Sequence, residues 1–147
     1  MTAAEQANAT TVRRLYEEYL NENRAELLPS LVTEGLVLHL PTEERGIAAY
    51  AALTERLRIA FHEMQFALLD LIASDDRVVV RWTMDATHAG PLAGIPATGK
   101  RVQQRGTVIY RMEEGKIAEI WAQMDRMGML QQLGIDPLAG VKAVQAR

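Results

Sequence analysis

The chain contains no cysteine. That excludes disulfides, thiolate-held zinc, iron–sulfur ligation and a cysteine nucleophile. It also lacks any apolar run near the ~20 residues that would span a bilayer. Its start, Met1-Thr2-Ala3-Ala4-Glu5-Gln6, has neither the basic opening nor the apolar stretch of a signal peptide. There is no excess of positive charge: 16 basic and 19 acidic residues give a net charge of −3. The concentrated field that nucleic acid or anionic lipid requires is therefore missing. These absences predict a cytoplasmic protein with no nucleic-acid and no membrane partner.

Catalytic side chains are scarce too. The histidines are His39, His62 and His88, without HxH or HxxxH spacing, so no metal site is expected. The serines are Ser30 and Ser74, neither in a GxSxG elbow, and no GxGxxG leads from a strand into a helix. No cofactor is expected. What is present is an ordinary globular composition, 48% hydrophobic and 24% charged over 147 residues. A chain of this length hides roughly 70% of the surface its unfolded form exposes, enough to enclose a ligand cavity.

Val12, Leu15, Tyr16, Tyr19 and Leu20 form one stripe at helical spacing and predict a helix over about residues 4–21. A short second helix follows from Ala25 to Leu31 around Pro29, then a strand at Leu36 to Leu40 stopped by Pro41. Tyr50, Leu53, Leu57 and Phe61 mark a long helix from Gly46 to His62. Beyond Gln65 the period changes to two. Turn signals divide the remainder into strands at about 65–73, 77–89, 101–112 and 116–125, then a last short helix from Arg126 to Leu133 closed by Gly134. No repeat or low-complexity linker interrupts the chain. The expectation is one domain over 1–147, with its core at about 10–134 and a C-terminal extension at 135–147. Helices followed by a meandering antiparallel sheet make an α+β fold, a curved sheet wrapped against helices.

Alternation sorts the sheet residues into two faces. In the strand at 77–89 the even positions from Val78 to His88 are apolar with the histidine at the end. In the last strand Ala118, Ile120, Ala122 and Met124 share one face, and Glu119, Trp121, Gln123 and Asp125 share the other. A face carrying Trp, Gln and Asp together suits a polar-ended pocket. The apolar face opposite suits packing on a second subunit, so a homodimer or higher homo-oligomer is expected.

The run Thr87-His88-Ala89-Gly90-Pro91-Leu92-Ala93-Gly94-Ile95-Pro96-Ala97-Thr98-Gly99-Lys100 resembles the "THTG…GIPPTGK" segment of SnoaL-like polyketide cyclases, or ester cyclases, of the NTF2-like superfamily. Ile109 to Trp121 resembles their "IYRxxDGKIxEhW", and the stretch through Asp125 to Gly134 their "WxxxDxxGLLQQLG". The resemblance covers about residues 10–134. It implies a cone-shaped α+β barrel with a cavity between sheet and helices, and cofactor-free acid/base chemistry. The family's cyclases close a polyketide ring by an intramolecular aldol reaction, and the aspartate they use matches Asp125. The chain departs from them in carrying Gln123 and Arg111 where histidines flank that aspartate.

On this reading Asp125, desolvated in the cavity, moves a proton next to a carbonyl, with His88 as catalytic partner. His39, Tyr16, Trp121, Gln123 and Arg111 are the expected substrate-binding residues. The ligand is a small apolar or polycyclic carbonyl compound. An aspartate ahead of a short helix is also a favoured N-cap, and capping would lower its pKa where burial would raise it. Other chemistries of the fold remain open: isomerase, dehydratase or epoxide hydrolase, or a non-catalytic binding or dimeric scaffold domain.

Overall fold

A computed structural model describes residues 1–138. The extension expected at 135–147 therefore lies outside the described residues from 139 onward. The chain opens with helix α1 (Ala3–Arg14), started by a capping box in which the Thr2 hydroxyl accepts from the Glu5 N–H and the Glu5 carboxylate accepts from the Thr2 N–H. Instead of continuing as α-helix to residue 21, the chain widens into a π-helical stretch, Leu15–Leu20. The Asn21 N–H there reaches back to the Tyr16 carbonyl at 2.9 Å. The wider turn sends Leu15, Tyr16, Tyr19 and Leu20 all into the interior.

A single 3₁₀ turn (Ala25–Leu27) leads into α2 (Leu28–Leu31), with Pro29 in its first turn, where its missing N–H costs nothing. Strand β1 (Val32–His39) and the short β2 (Glu43–Arg45) precede α3 (Ile47–Ala60). Then come β3 (Phe61–Ser74), β4 (Arg77–His88), β5 (Arg101–Glu113), β6 (Lys116–Met124) and α4 (Arg126–Gln132). Gly134 stands past the last helix at φ 81°. Strand β3 begins directly after α3 rather than near residue 65. The polar His62-Glu63 pair that hides its start sits in a register shift, with Glu63 at φ 55°.

The six strands form one sheet in the order β2-β1-β6-β5-β4-β3. All neighbours are antiparallel except β1 and β6, which run parallel. In register across β4, β5 and β6 lie the rows Val78–Tyr110–Ile120, Val80–Val108–Ala122 and Trp82–Gly106–Met124. All of these belong to the face that α1, its π-helical continuation and α3 cover. Fully burying one such aliphatic side chain contributes roughly 1.5–3 kcal/mol, so this face drives the sheet onto the helices. The other face keeps Arg77, Arg81, Asp85, Arg105, Arg111 and Glu119 toward water.

Candidate functional site

Between the covered face and the helices lies a cavity of about 310 Å³, at the lower end of the roughly 300–1,000 Å³ typical of small-molecule sites. Leu38, Val108, Ile120, Ala122 and Met124 form its sheet wall. Leu20 and the α3 residues Leu53 and Leu57 form the opposite wall. Leu92, Ala93 and Ile95, from the Gly/Pro-rich loop after β4, close one side, and Met129 and Leu130 of α4 another. Arg126, at the start of α4, is the one ionised side chain in the wall among the described residues.

Apart from Arg126, the polar groups set into this apolar container are neutral. The hydroxyls of Tyr16 and Tyr110 meet at 2.5 Å, and those of Tyr19 and Thr54 at 2.8 Å. Thr54 also touches the Tyr50 carbonyl from within the helix. Burial pushes the phenols of Tyr16, Tyr50 and Tyr110 far above the usual tyrosine range. They are therefore hydroxyl donors and acceptors at any physiological pH, never phenolates. The Trp82 Nε1 and Gln104 Oε1 atoms are buried in the same wall without a hydrogen-bond partner.

Of the residues expected to form the site, only Tyr16 lines this cavity. Asp125 is exposed at the start of α4, and its Oδ1 accepts the Gly128 N–H at 2.9 Å. The expected desolvated aspartate is thus a helix cap. It lies between two lining residues, Met124 and Arg126, and one of its carboxylate oxygens caps the helix backbone. His88 is fully buried, with Nδ1 accepting the Thr98 N–H and lying 3.0 Å from the Thr98 hydroxyl. Its ring leans on Phe61, and it is Phe61 that lines the cavity, so His88 pins the base of the loop.

The remaining expected residues lie on the opposite, convex face. His39 stacks on Trp121 with centroids 5.1 Å apart and planes 6° from parallel. Its Nε2 pairs with Glu119, which also accepts from Arg111 Nε at 2.8 Å, and Arg111 reaches Glu113. Arg77 lies over the Trp121 ring. Arg111 first, then His39, hold the Glu119 carboxyl below the usual carboxylate range. Trp121 and Gln123 edge an open depression with Thr107 and Ile109. The face carrying Trp121 and Gln123 is therefore not the cavity wall. The apolar face expected to pack on a second subunit is instead the one that encloses the cavity.

Sequence reasoning missed Gln104, Trp82, Tyr50 and Tyr110. A signal was available for Gln104: it is the one strongly polar residue in the even-numbered set Val102, Gln104, Gly106, Val108, Tyr110 and Met112 of β5. Among the described residues no group of three or more His, Asp or Glu is placed to hold a metal ion, and no helix is long and apolar enough to cross a membrane.

The SnoaL-like polyketide cyclase family model matches residues 10–133. An aklanonic acid methyl ester cyclase, DauD, of Streptomyces sp. strain C5 is 33% identical over 130 residues, covering 84% of this chain and 79% of that protein. A second, DnrD of Streptomyces peucetius, is 32% identical over 130 residues, covering 84% and 88%. A solved structure from Jannaschia sp. CCS1 superposes with a TM-score of 0.85 at 20% identity, covering 93% of this chain and 98% of that one, a likeness of fold.

Proposed function

Because the chain belongs to the SnoaL-like polyketide cyclase family, we propose that it closes a ring within an apolar carbonyl compound, an ester of the aklanonic acid type, using neutral hydrogen-bond donors rather than a cavity aspartate. The single observation that carries this reading is the largely apolar cavity whose polar groups, Arg126 apart, are phenols, a threonine hydroxyl, an amide and an indole. A cavity of that kind selects a folded conformer of a flexible substrate and brings the reacting carbons together, the positioning component of catalysis.

The chemistry follows from the donors. In the aldol step the enol carbon of the substrate attacks its own ketone carbon. One C–C bond forms as the ketone C=O π bond opens, and the proton leaving the enol oxygen is the one the new alkoxide oxygen takes up, so product and substrate are isomers. Two phenol hydrogens are shared between Tyr16 and Tyr110, and one of them occupies the short contact between the oxygens. The other is free for the ketone oxygen as negative charge develops there. A donor of this type is worth on the order of 10²-fold in rate where water is excluded.

The test is turnover of aklanonic acid methyl ester, read as a product of unchanged mass and new retention time. Replacing both phenols, Tyr16→Phe together with Tyr110→Phe, should lower kcat on the order of 10²-fold, because either hydroxyl alone keeps a hydrogen for the ketone. Asp125→Asn should keep most of it, because asparagine caps a helix as well as aspartate does. A collapse of turnover in Asp125→Asn with the double phenol variant unaffected would return the aspartate to the centre of the mechanism. A second reading, a binding domain without turnover, is favoured by one observation: no carboxylate or imidazole lines the cavity among the described residues. Tight binding of the ester with no isomerised product would select it.

A further inference from the structure

The convex face of the sheet carries a row of apolar and aromatic side chains that crosses five strands in register. Ile72 of β3 pairs with Val79 of β4, Val79 with Ile109 of β5, Ile109 with Trp121 of β6, and Trp121 with His39 of β1. At the ~4.8 Å spacing of neighbouring strands the row is roughly 19 Å long. Ile72 is 63% exposed and Ile109 40%. Scattered exposed apolar residues are ordinary, but a contiguous row of them rimmed by polar side chains marks an interaction surface. Trp121 is also ordered in advance, with Arg77 over its ring at 5.2 Å and the His39 imidazole stacked on it. Such an anchor loses little conformational freedom when a partner arrives, and Trp and Arg are the residue types that dominate interface energies.

The rows on either side say what fits. From β3 to β1 one flank reads Ser74, Arg77, Arg111, Glu119, Val37, and from β3 to β6 the other reads Asp70, Arg81, Thr107, Gln123. A second copy of the chain, laid face to face about a two-fold axis running along β5 at Ile109, matches this pattern with itself. Strand β4 then faces β6 of the second copy, and β3 faces its β1. Ile109 meets the partner's Ile109, Val79 meets the partner's Trp121, and Ile72 meets the partner's His39. Arg77 comes opposite the partner's Glu119, and Arg81 opposite the partner's Gln123. Arg111 meets its own copy, but each of these guanidiniums is already held by Glu113 and Glu119. An axis along the row instead would set Arg77 against the partner's Arg81, twice. Aliphatic on aromatic and cation on anion select the first axis.

We propose that this convex face is the interface of a homodimer whose two-fold axis runs along β5 at Ile109. The strands of the two sheets are then aligned, one of the two ways in which sheets pack face to face. The cavity lies on the other side of each sheet, so both subunits keep their own. The inference does not rest on the cyclase reading and is tested without substrate.

Sedimentation velocity on the full chain should show a species of twice 16.4 kDa at high micromolar concentration that dissociates to the monomer on dilution. Ile109→Glu sets two carboxylates against each other at the axis and should raise the dimer Kd on the order of 10²-fold, with an unchanged circular dichroism spectrum. Arg77→Glu should raise it about tenfold. Because the chain has no cysteine, single introduced thiols report the geometry without background. Ile109→Cys should be joined to its own copy by bis-maleimidoethane, whose reach suits sheets about 10 Å apart. Met127→Cys, exposed on α4, should not. A wild-type chain that is monomeric at every concentration, a dimer indifferent to Ile109→Glu, tighter association in Arg77→Glu, or equal crosslinking of the two cysteine variants would each overturn the proposal.

Discussion

The two faces of the sheet are built by the same strands, one residue out of phase, and they handle polarity in opposite ways. On the concave face the polar groups are neutral, few, and either paired hydroxyl to hydroxyl or left without a partner. On the convex face charged and polar side chains are connected, from Arg77 over Trp121 to His39, Glu119, Arg111 and Glu113. The difference is what solvent access dictates. A charge under the helices would carry a desolvation cost of several kcal/mol, whereas on the open face it is screened and cheap.

The sharpest way to break the comparison is to put one carboxylate on each face at neighbouring positions. Val108→Asp, in the cavity wall, should cost on the order of 3–5 kcal/mol in urea unfolding, while Thr107→Asp should stay within about 0.5 kcal/mol. Equal costs would mean that the cavity is wetter than its walls suggest. The next effect is alkaline. The folded-state pKa values of Tyr16, Tyr50 and Tyr110 lie above the unfolded value near 10. Their stabilisation is complete below about pH 10 and is lost as the pH rises beyond it. The melting temperature should fall there, and less steeply in Tyr110→Phe.

Smaller effects sharpen the rest. Asp125→Ala should cost about 1 kcal/mol through loss of the cap, and Asp125→Asn almost nothing. On the convex face, Glu119 and Arg111 keep side-chain exposures of 20% and 26%, so water weakens their pairing. Glu119→Gln should cost under about 1 kcal/mol at neutral pH. Because the folded-state pKa of Glu119 is depressed, its contribution is present above the ordinary carboxylate pKa and lost as the pH falls through the folded value. The Glu119→Gln penalty should therefore vanish in acid, as read from paired melting curves.

Much of this layout can be read from local pattern. The long helix at 47–60, the strands β4 to β6 and the capped α4 follow from periodicity and turn residues acting within a few positions. Which sheet face curls toward the helices is decided elsewhere. Alternation along β6 separates Trp121 and Gln123 from Ile120 and Ala122 but carries no sign. Only the register that aligns Ile120 with Tyr110 and Val78, and Ala122 with Val108 and Val80, makes the even set one continuous apolar surface. A strand taken alone suggested a pocket where Trp, Gln and Asp gather. The assembled sheet has its cavity under the aliphatic rows, with a lone glutamine among them. The π-helical stretch was likewise illegible, since its extra residue has no local signature and is fixed by the burial of Tyr16 and Tyr19.

The tryptophans divide between the faces, Trp82 in the cavity and Trp121 outside on the His39 ring, and the chain holds no third. The molecule thus carries two optical reporters with separate jurisdictions. Trp82, sealed and without a hydrogen-bond partner, should emit at short wavelength and change when the cavity fills. Trp121 should answer to events at the outer surface, where the His39 ring stacks on it. Replacing either one by phenylalanine leaves emission that follows the other face alone.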